Sequence, residues 1–208
     1  MTPVSEDLPD WLNVSRETLE DMRGFCRLVE KWNPAINLVS KAGSAGLWKR
    51  HILDSAQMFL IAPREASLWC DIGSGGGFPG LVIAIMAKHQ APNLEVALVE
   101  SDRRKSVFLS EVARLLKLRV RVHAKRIEDL QPQNADILSA RALAPLTALC
   151  GFASRHMRPD GVAIFPKGIC AEKEIQEARQ SWAFDLTQHR SQTESDATVL
   201  MLRGIHNV

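Results

Sequence analysis

The stretch Asp71-Ile72-Gly73-Ser74-Gly75-Gly76-Gly77-Phe78-Pro79-Gly80 decides the fold of this 208-residue chain. It follows a short strand-like segment and precedes an apolar run at 81–87, so the sequence predicts a strand, a glycine-rich turn and a helix in that order. Glycine lets the backbone turn sharply and approach a ligand where a Cβ would collide, and the restricted φ of Pro79 suits a first helical turn. In doubly wound sheets, cofactors bind at such a turn.

From residue 67 onward, short apolar segments alternate with amphipathic ones, which is typical of an α/β domain with a mostly parallel sheet and helices on both faces. We expect strands at 67–72, 94–99, 119–123, 135–139 and 161–165, and helices at 79–89, 103–117, 145–157 and 171–182. Two further strand-like segments, 183–189 and 197–203, are joined by a polar loop and should pair antiparallel. The sequence therefore predicts a Rossmann-like sheet of seven strands with an antiparallel last strand.

Residues 1–66 are predicted to form a helical extension that packs on the α/β domain of residues 67–208. Apolar side chains recur at helical spacing over 14–32, behind Ser15 as a candidate N-cap, and Pro34 is expected to end that helix. A second helix is expected at 44–61.

The composition, 46% apolar and 24% charged, is that of an ordinary globular protein. The longest unbroken apolar run, seven residues, is far too short to span a bilayer, and the N-terminus carries Glu6, Asp7 and Asp10 instead of a basic targeting segment. We expect a cytoplasmic protein without a membrane partner. The four cysteines are far apart and contain no CxxC, so we expect reduced thiols and no metal site.

Positive charge is concentrated in residues 103–126, which hold nine basic residues and one acid although the formal net charge of the chain is only +2. Such a segment can bind a polyanion, or it can simply be a solvated surface. Its basic residues are Arg103, Arg104, Lys105, Arg114, Lys117, Arg119, Arg121, Lys125 and Arg126.

Two cofactor classes fit the glycine stretch. Residues 75–80 satisfy the G-x-G-x-x-G pattern of a dinucleotide site, which is weak when it stands alone. Starting at Asp71, the same stretch spells D-x-G-x-G-x-G, the first motif of class I S-adenosylmethionine methyltransferases. Glu100, at the end of the next strand, is placed to accept hydrogen bonds from the ribose hydroxyls of a nucleoside. A dehydrogenase would need a second mononucleotide half for which the chain has no room, although a plain glycine-rich turn also remains open.

The chain also resembles a particular family, the bacterial guanine-N7 methyltransferases of small-subunit ribosomal RNA, also known as glucose-inhibited division protein B. The resemblance rests on Trp32-Asn33, Asn37-Leu38, Arg50-His51-Ile52-Leu53-Asp54-Ser55, the glycine stretch with its Phe78-Pro79-Gly80 ending, Ser139-Ala140-Arg141-Ala142 and Lys167-Gly168. It departs from the family's usual pattern at Gly76, where a small residue or proline is common, and at Glu100, where aspartate is frequent. The resemblance implies methyl transfer to N7 of a guanine, position 527 in the usual 16S numbering, with 16S ribosomal RNA or the small-subunit particle as partner.

The resemblance further implies that Gly73, Phe78, Ile127, Glu128 and Arg141 line the cofactor site. From the residues themselves, Ile127 and Glu128 offer apolar contact and amide groups to an adenine edge, and Arg141 offers a bidentate fork to a methionine carboxylate or an RNA phosphate. Asp71 should accept hydrogen bonds from loop amides or from the methionine ammonium, because a buried carboxylate must be paired. Together with Gly75, Gly77 and Glu100, these residues form the predicted cofactor site.

The predicted RNA contacts are Arg50, His51, Asp54, Lys167 and, from the basic segment, Arg103, Arg104, Lys105, Arg121 and Arg126. No residue is assigned as catalytic, because guanine N7 carries a lone pair and no proton, so its attack on a methyl group requires alignment more than a general base. The alternatives are a non-catalytic RNA-binding assembly factor with the same fold and, with less support, an NAD-dependent dehydrogenase.

Overall fold

In the computed structural model, which describes residues 8–40, 44 and 46–208, one seven-stranded sheet forms the centre of the protein. Its strands are β1 (Leu68–Ile72), β2 (Glu95–Val99), β3 (Val120–His123), β4 (Ala135–Ser139), β5 (Met157–Lys167), β6 (Trp182–Arg190) and β7 (Thr198–Asn207). The strand order is β3-β2-β1-β4-β5-β7-β6, and β7 is antiparallel to both of its neighbours. The predicted fold class is confirmed, and β5, β6 and β7 extend beyond the predicted segments.

The helices are α1 (Arg16–Ile36), α2 (Asp54–Ile61), α3 (Gly80–Gln90), α4 (Arg103–Leu115), α5 (Leu146–His156) and α6 (Ala171–Ala178). Among the described residues, every helix is too short or too polar to cross a bilayer. The predicted acidic start at Glu6 and Asp7, and position 45 of the second predicted helix, lie outside the described residues.

The expected end of the first helix at Pro34 is wrong, because α1 continues through this proline to Ile36. A proline near a helix end removes one backbone hydrogen bond, which the helix tolerates here. The helix closes at Asn37, whose φ is 51° and whose amide donates to the carbonyl of Asn33. The side chain of Asn33 in turn accepts a hydrogen bond from the amide of Val39 at 2.9 Å.

The second predicted helix is divided into two parts. Trp48–Leu53 forms a wider π-helical turn, which buries Trp48, Ile52 and Leu53, and α2 follows it directly. The hydroxyl of Ser55 donates to the carbonyl of His51 at 2.6 Å, next to the change of helix type. Such turns occur often at functional sites, and this one carries Arg50 and His51.

The extension shares the hydrophobic core on one face of the sheet. Phe25 of α1 is fully buried, and its ring lies 5.0 Å from that of Phe78 in the glycine stretch and 6.5 Å from that of Phe108 on α4. A separate core, with α5 and α6, covers the other face. The domain boundary at residue 66 stays a prediction.

Replacing Phe25 by Ala should lower the free energy of unfolding by about 3–5 kcal/mol, because it removes a fully buried ring and leaves a cavity between α1 and the α/β core. Urea denaturation followed by circular dichroism measures this loss. Because α1 shares its core with the sheet, we expect one cooperative transition in both proteins. A separate early transition for the variant would contradict that expectation.

Candidate active site

The glycine loop after β1 is held in place by backbone and side-chain hydrogen bonds. The amides of Gly73 and Ser74 donate to the carbonyl of Val99 on β2 at 2.9 and 3.1 Å. Gly75 has a φ of +55°, and a Cβ added there would meet no protein atom closer than 3.8 Å. The loop at this residue therefore faces open space, and a side chain in that position would project into the space available to a ligand.

Glu100 follows β2 and joins the loop to α4. One carboxylate oxygen accepts from the amide of Gly75 at 2.8 Å, and the other accepts from the amide of Asp102 at 2.8 Å. Its side chain is buried but still borders a cavity. A carboxylate has about four acceptor positions, so both oxygens retain capacity for ribose hydroxyls. The ribose role stays a prediction.

A cavity of about 350 Å³ lies above the glycine loop. Five residues predicted for the cofactor site line this cavity: Gly73, Gly75, Glu100, Ile127 and Glu128. The other lining residues are Val99, Ser101, Lys105, Lys125, Arg126, Ala142, Leu143, Ala144 and Phe152. These residues come from the carboxyl ends of β1, β2, β3 and β4, which is where ligands bind in open α/β sheets.

The other four predicted cofactor residues lie elsewhere. Asp71 is fully buried, and Gly77 faces the core, where an added Cβ would lie 2.5 Å from a methyl group of Leu81. Phe78 and Arg141 belong to a cluster beside the second helical segment, described below. For Asp71, the loop-amide alternative is observed, since its carboxylate accepts from the amide of Gly80, and a contact with a methionine ammonium stays a prediction.

Asp71 connects three parts of the sheet edge. Its carboxylate accepts from the amide of Gly80 at 3.2 Å and from the hydroxyl of Ser139 at 2.7 Å, and that hydroxyl accepts from the indole nitrogen of Trp69 at 2.8 Å. Burial raises the pKa of Asp71 to about 6, against the lowering effect of these hydrogen bonds. The carboxylate therefore organises the loop from below.

Arg141, which follows β4, is held by the helical segment around Arg50. Its guanidinium donates to the carbonyl of Arg50 at 2.9 Å, lies 3.5 Å from the carboxylate of Asp54 and donates to Nδ1 of His51. It also lies over the ring of Phe78, 5.5 Å from the centroid. The structure therefore brings together five predicted site residues from three separate segments of the sequence.

His51 is neutral in this cluster. Burial, followed by the positive charges of Arg141 and Arg50, lowers the pKa of His51 to about 4. Its ring stacks at 4.8 Å from that of Phe78, and Nδ1 acts as the acceptor for Arg141, which places the proton on Nε2. A neutral histidine with its acceptor nitrogen already in use is a packing and positioning group.

A second, larger cleft of about 810 Å³ lies beside the cofactor cavity. Its lining includes three predicted RNA contacts, Arg50, Asp54 and Lys167, and one residue predicted for the cofactor site, Arg141. The other lining residues are Ala142, Leu143, Ala144, Pro145, Pro166, Gly168, Cys170, Lys173, Glu174, Glu177, Glu194 and Ala197. It crosses the ends of β4, β5 and β7. The cleft is open and carries charges of both signs.

The two cavities meet at residues 142–144, which line both. Leu143 packs directly on the glycine loop, because a Cβ added to Gly73 would lie 2.6 Å from one of its methyl groups. Ala142 adopts a φ of 51° that non-glycine residues rarely use. This short segment is the partition across which a group could pass from one cavity to the other.

Lys167 is mostly buried rather than exposed on a turn. Its ammonium donates to a carboxylate oxygen of Glu174 at 2.7 Å and to the carbonyl of Ala144 at 3.2 Å. The same oxygen of Glu174 accepts from the amide of Leu146 at the start of α5. Lys167 therefore fixes the partition and keeps one donor for an anion.

The basic segment is divided between opposite edges of the sheet. Because α4 runs from the carboxyl end of β2 to the amino end of β3, Arg103, Arg104 and Lys105 lie at the sheet edge that carries the cavity. Of the basic segment, the residues that line the cavity itself are Lys105, Lys125 and Arg126. The remaining basic residues, Arg114, Lys117, Arg119 and Arg121, lie toward the opposite edge or along β3. Arg121 forms an ion pair with Glu95 at 2.6 Å, and Arg114 forms one with Glu111 at 2.8 Å. The nine basic residues are therefore spread over two edges of the sheet, and the RNA contacts predicted within 103–126 stay predictions.

Several site residues have no signal in the sequence. Four residues lie at the site only because of long-range contacts, and each resembles an ordinary loop or helix residue in its local sequence. They are Leu143, Gln57, Thr193 and Glu194. Among the described residues, no three His, Cys, Asp or Glu side chains converge where they could hold a metal ion.

Comparisons with known proteins agree with this geometry. A family model described as rRNA small subunit methyltransferase G matches residues 18–200. A Ribosomal RNA small subunit methyltransferase G from Ruegeria pomeroyi is 51% identical over 197 residues, covering 95% of this chain and 96% of the relative. A protein of the same name from Cereibacter sphaeroides is 48% identical over 205 residues, covering 99% and 100%.

Solved structures share the fold at low sequence identity. The O-methyltransferase TomG from Streptomyces achromogenes, in complex with SAM, has a TM-score of 0.56 and 13% identity, covering 92% of this chain and 91% of that chain. A T. thermophilus 16S rRNA N2 methyltransferase, in complex with AdoMet and guanosine, has a TM-score of 0.53 and 14% identity, covering 73% and 38%. Both support the predicted class I methyltransferase fold.

Replacing Gly75 by Val should abolish binding of S-adenosylmethionine, because the new side chain would enter the cavity above the loop. Part of any loss in stability would come from the positive φ at this residue. Gly204, with a φ of +59° far from the cavity, provides the matched control. We expect Gly204→Val to show a similar loss of stability and unchanged cofactor affinity by calorimetry. Wild-type affinity in Gly75→Val would place the cofactor elsewhere.

The low pKa of His51 predicts a pH-dependent loss of stability. Between about pH 6.5 and pH 4 the unfolded chain binds a proton on this residue and the native protein does not, so the free energy of unfolding falls as pH falls through that window. His51→Asn should lose less stability than wild type between pH 7 and pH 5 in urea titrations. The raised pKa of Asp71 has the opposite effect on the free energy of unfolding as pH falls, but this effect is the same in both proteins. If the free energy of unfolding changes with pH in the same way in wild type and His51→Asn, the low pKa of His51 is contradicted.

Proposed function

This chain belongs to the rRNA small subunit methyltransferase G family, and from that premise we propose that it transfers a methyl group from S-adenosylmethionine to N7 of a guanine in small-subunit ribosomal RNA. The observation that carries the proposal is the pair of adjoining cavities, one above the glycine loop and one lined by charged side chains of both signs, which share residues 142–144. The dehydrogenase alternative is discarded, because the family is one of methyltransferases.

The residues of the smaller cavity fit the cofactor. When bound, S-adenosylmethionine supplies a methyl group carried on a sulfonium ion. The open side of Gly75 leaves room for a ligand close to the backbone, and Glu100 offers acceptors for ribose hydroxyls. Ile127 and Glu128 supply an apolar side chain and a polar edge for the adenine. Leu143 packs on the glycine loop where the two cavities meet.

The residues around the larger cleft hold the guanine without taking a proton from it. Its N7 presents a lone pair, so the protein needs to align the base and keep the contact dry. His51 is neutral and its Nδ1 is engaged, which removes it as a general base. Burial raises the pKa of Cys70 to about 12, so that thiol is also excluded as a nucleophile near the loop.

We further propose that the substrate is 16S ribosomal RNA or the small-subunit particle and that the protein acts in the cytoplasm. Cations at the cleft and at the cavity edge support an RNA partner. A non-catalytic RNA-binding assembly factor with the same fold is the alternative hypothesis, and the open cavity above the glycine loop favours the enzyme over it.

Mass mapping of methylated guanines tests the function. Purified protein, labelled S-adenosylmethionine and small-subunit particles from cells that lack the protein should yield one 7-methylguanine in 16S ribosomal RNA. RNA binding without methyl transfer, under conditions where the cofactor binds, would favour the assembly factor.

The divided basic segment gives a paired charge test. Arg103→Glu with Arg104→Glu removes positive charge at the cavity edge, whereas Lys117→Glu with Arg119→Glu makes the same charge change toward the opposite edge. The first pair should weaken RNA binding and flatten its log-log salt dependence by roughly 0.7–0.9 for each lost phosphate contact, and the second should not. Cofactor affinity should be unchanged in both. Equal effects of the two pairs of substitutions would show that the cavity edge is not the RNA-binding surface.

A further inference from the structure

We infer that Glu194, in the loop between β6 and β7, recognises the Watson–Crick edge of the target guanine and so determines base specificity. The inference rests on the proposed function, since it concerns the base that enters the larger cleft. Guanine presents its N1–H and 2-amino donors on the edge opposite N7. A base that directs N7 toward residues 142–144 therefore directs these donors toward the far wall of the cleft.

Glu194 lies on that far wall. Lys167, at the end of β5, pairs with Thr198 at the start of β7, so the loop before Thr198 lies at the same sheet edge as the cleft. Strands are spaced about 4.8 Å apart, and two spacings from β4 to β7 give about 10 Å. This distance accommodates a purine with hydrogen bonds on its outer edge.

The loop is fixed in place by buried polar groups of α2. The hydroxyl of Thr193 donates to the carboxylate of Asp54 at 2.9 Å, and the amide of Gln192 donates to the side-chain oxygen of Gln57 at 2.9 Å. The side-chain nitrogen of Gln57 contacts the hydroxyl of Ser191 at 3.3 Å. Gln57 and Thr193 are each only 5% exposed. The residue next to Thr193 is thus presented from a rigid position, which a specificity contact requires.

The other carboxylates of the cleft are already engaged. Asp54 accepts from Gln57 and Thr193 and pairs with Arg141. These contacts fix the position of Asp54, and its predicted RNA contact stays a prediction.

Glu174 and Glu177 are engaged as well. Glu174 binds Lys167 and the amide of Leu146, and Glu177 lies 3.8 Å from Lys173. Within the described part of the chain, Glu194 is the cleft carboxylate whose side chain has no hydrogen bond or ion pair, and both of its oxygens are available as acceptors.

The chemistry of this carboxylate favours guanine over adenine. A carboxylate accepts two hydrogen bonds from N1–H and the 2-amino group, whereas adenine presents an acceptor at N1 and no 2-amino group. A site that hydrogen-bonds a substrate donor discriminates strongly against a base that lacks it, because a charged acceptor is left without a partner.

The test compares Glu194→Gln and Glu194→Ala with wild type on small-subunit particles reconstituted with guanine or inosine at the target position. Inosine keeps N7 and N1–H but lacks the 2-amino group. Loss of the charged hydrogen bonds should lower kcat/KM on guanine by about 10- to 100-fold. Wild type should prefer guanine to inosine by about tenfold, and this preference should fall to about twofold or less in Glu194→Ala.

Asp196→Asn is the matched control, because Asp196 carries the same charge in the same loop and does not line the cleft. It should retain wild-type activity and preference. Calorimetric affinity for S-adenosylmethionine should be unchanged in all variants, which shows that the fold and the other cavity are intact. An unchanged guanine-to-inosine ratio in Glu194→Ala would overturn the inference, whereas absence of 7-methylguanine with wild type would overturn the proposed function itself.

Discussion

The buried carboxylate of Asp71 is the constraint on which the site depends. It lies at the end of β1 and binds the first amide of α3 and the hydroxyl of Ser139 at the end of β4, so one side chain sets the relative positions of the glycine loop and the segment after β4. Those two segments form the floor of one cavity and the partition to the other. An unpaired carboxylate there would be costly, because burial already raises its pKa to about 6, and its partners offset part of that cost. The requirement to satisfy one buried group thus aligns two binding sites.

The second helical segment, residues 48–61, positions the walls of the larger cleft in the same way. Its π-helical turn leaves the carbonyl of Arg50 to accept from Arg141, while Asp54, one turn later, joins Arg141 to the loop between β6 and β7. Arg141 was expected to bind a methionine carboxylate or a phosphate directly. In the structure its guanidinium contacts Arg50, His51 and Asp54, and burial lowers its pKa while Asp54 has the opposite effect. These contacts hold the walls of the cleft together, and the contact with an anion stays a prediction.

The local part of this architecture is predictable from the sequence. Period-two and helical patterns locate every strand and the core helices, and the glycine stretch locates the cofactor cavity, because these features depend on neighbouring residues. The helix that continues through Pro34 is not predictable in this way, since the cap at Asn37 depends on a left-handed conformation that asparagine only sometimes adopts. The division of the basic segment also escaped prediction, because charge counted along the chain ignores that α4 carries residues from one sheet edge to the other. Thr193 and Asp54 lie 139 positions apart, so no local pattern connects them.

The distribution of charge in the site follows from the proposed reaction. When N7 of guanine accepts a methyl group, positive charge leaves the cofactor and appears on the purine. A free cation against the base would oppose that change, and three basic side chains of the cleft walls are neutral or paired. Arg141 is paired with Asp54, Lys167 is paired with Glu174, and His51 is neutral because Arg141 and burial lower its pKa. The exposed cations, such as Arg103 and Arg104, lie at the rim, where phosphates would lie. The ion pairs that fix the cleft walls therefore also provide an environment in which a cationic purine can form.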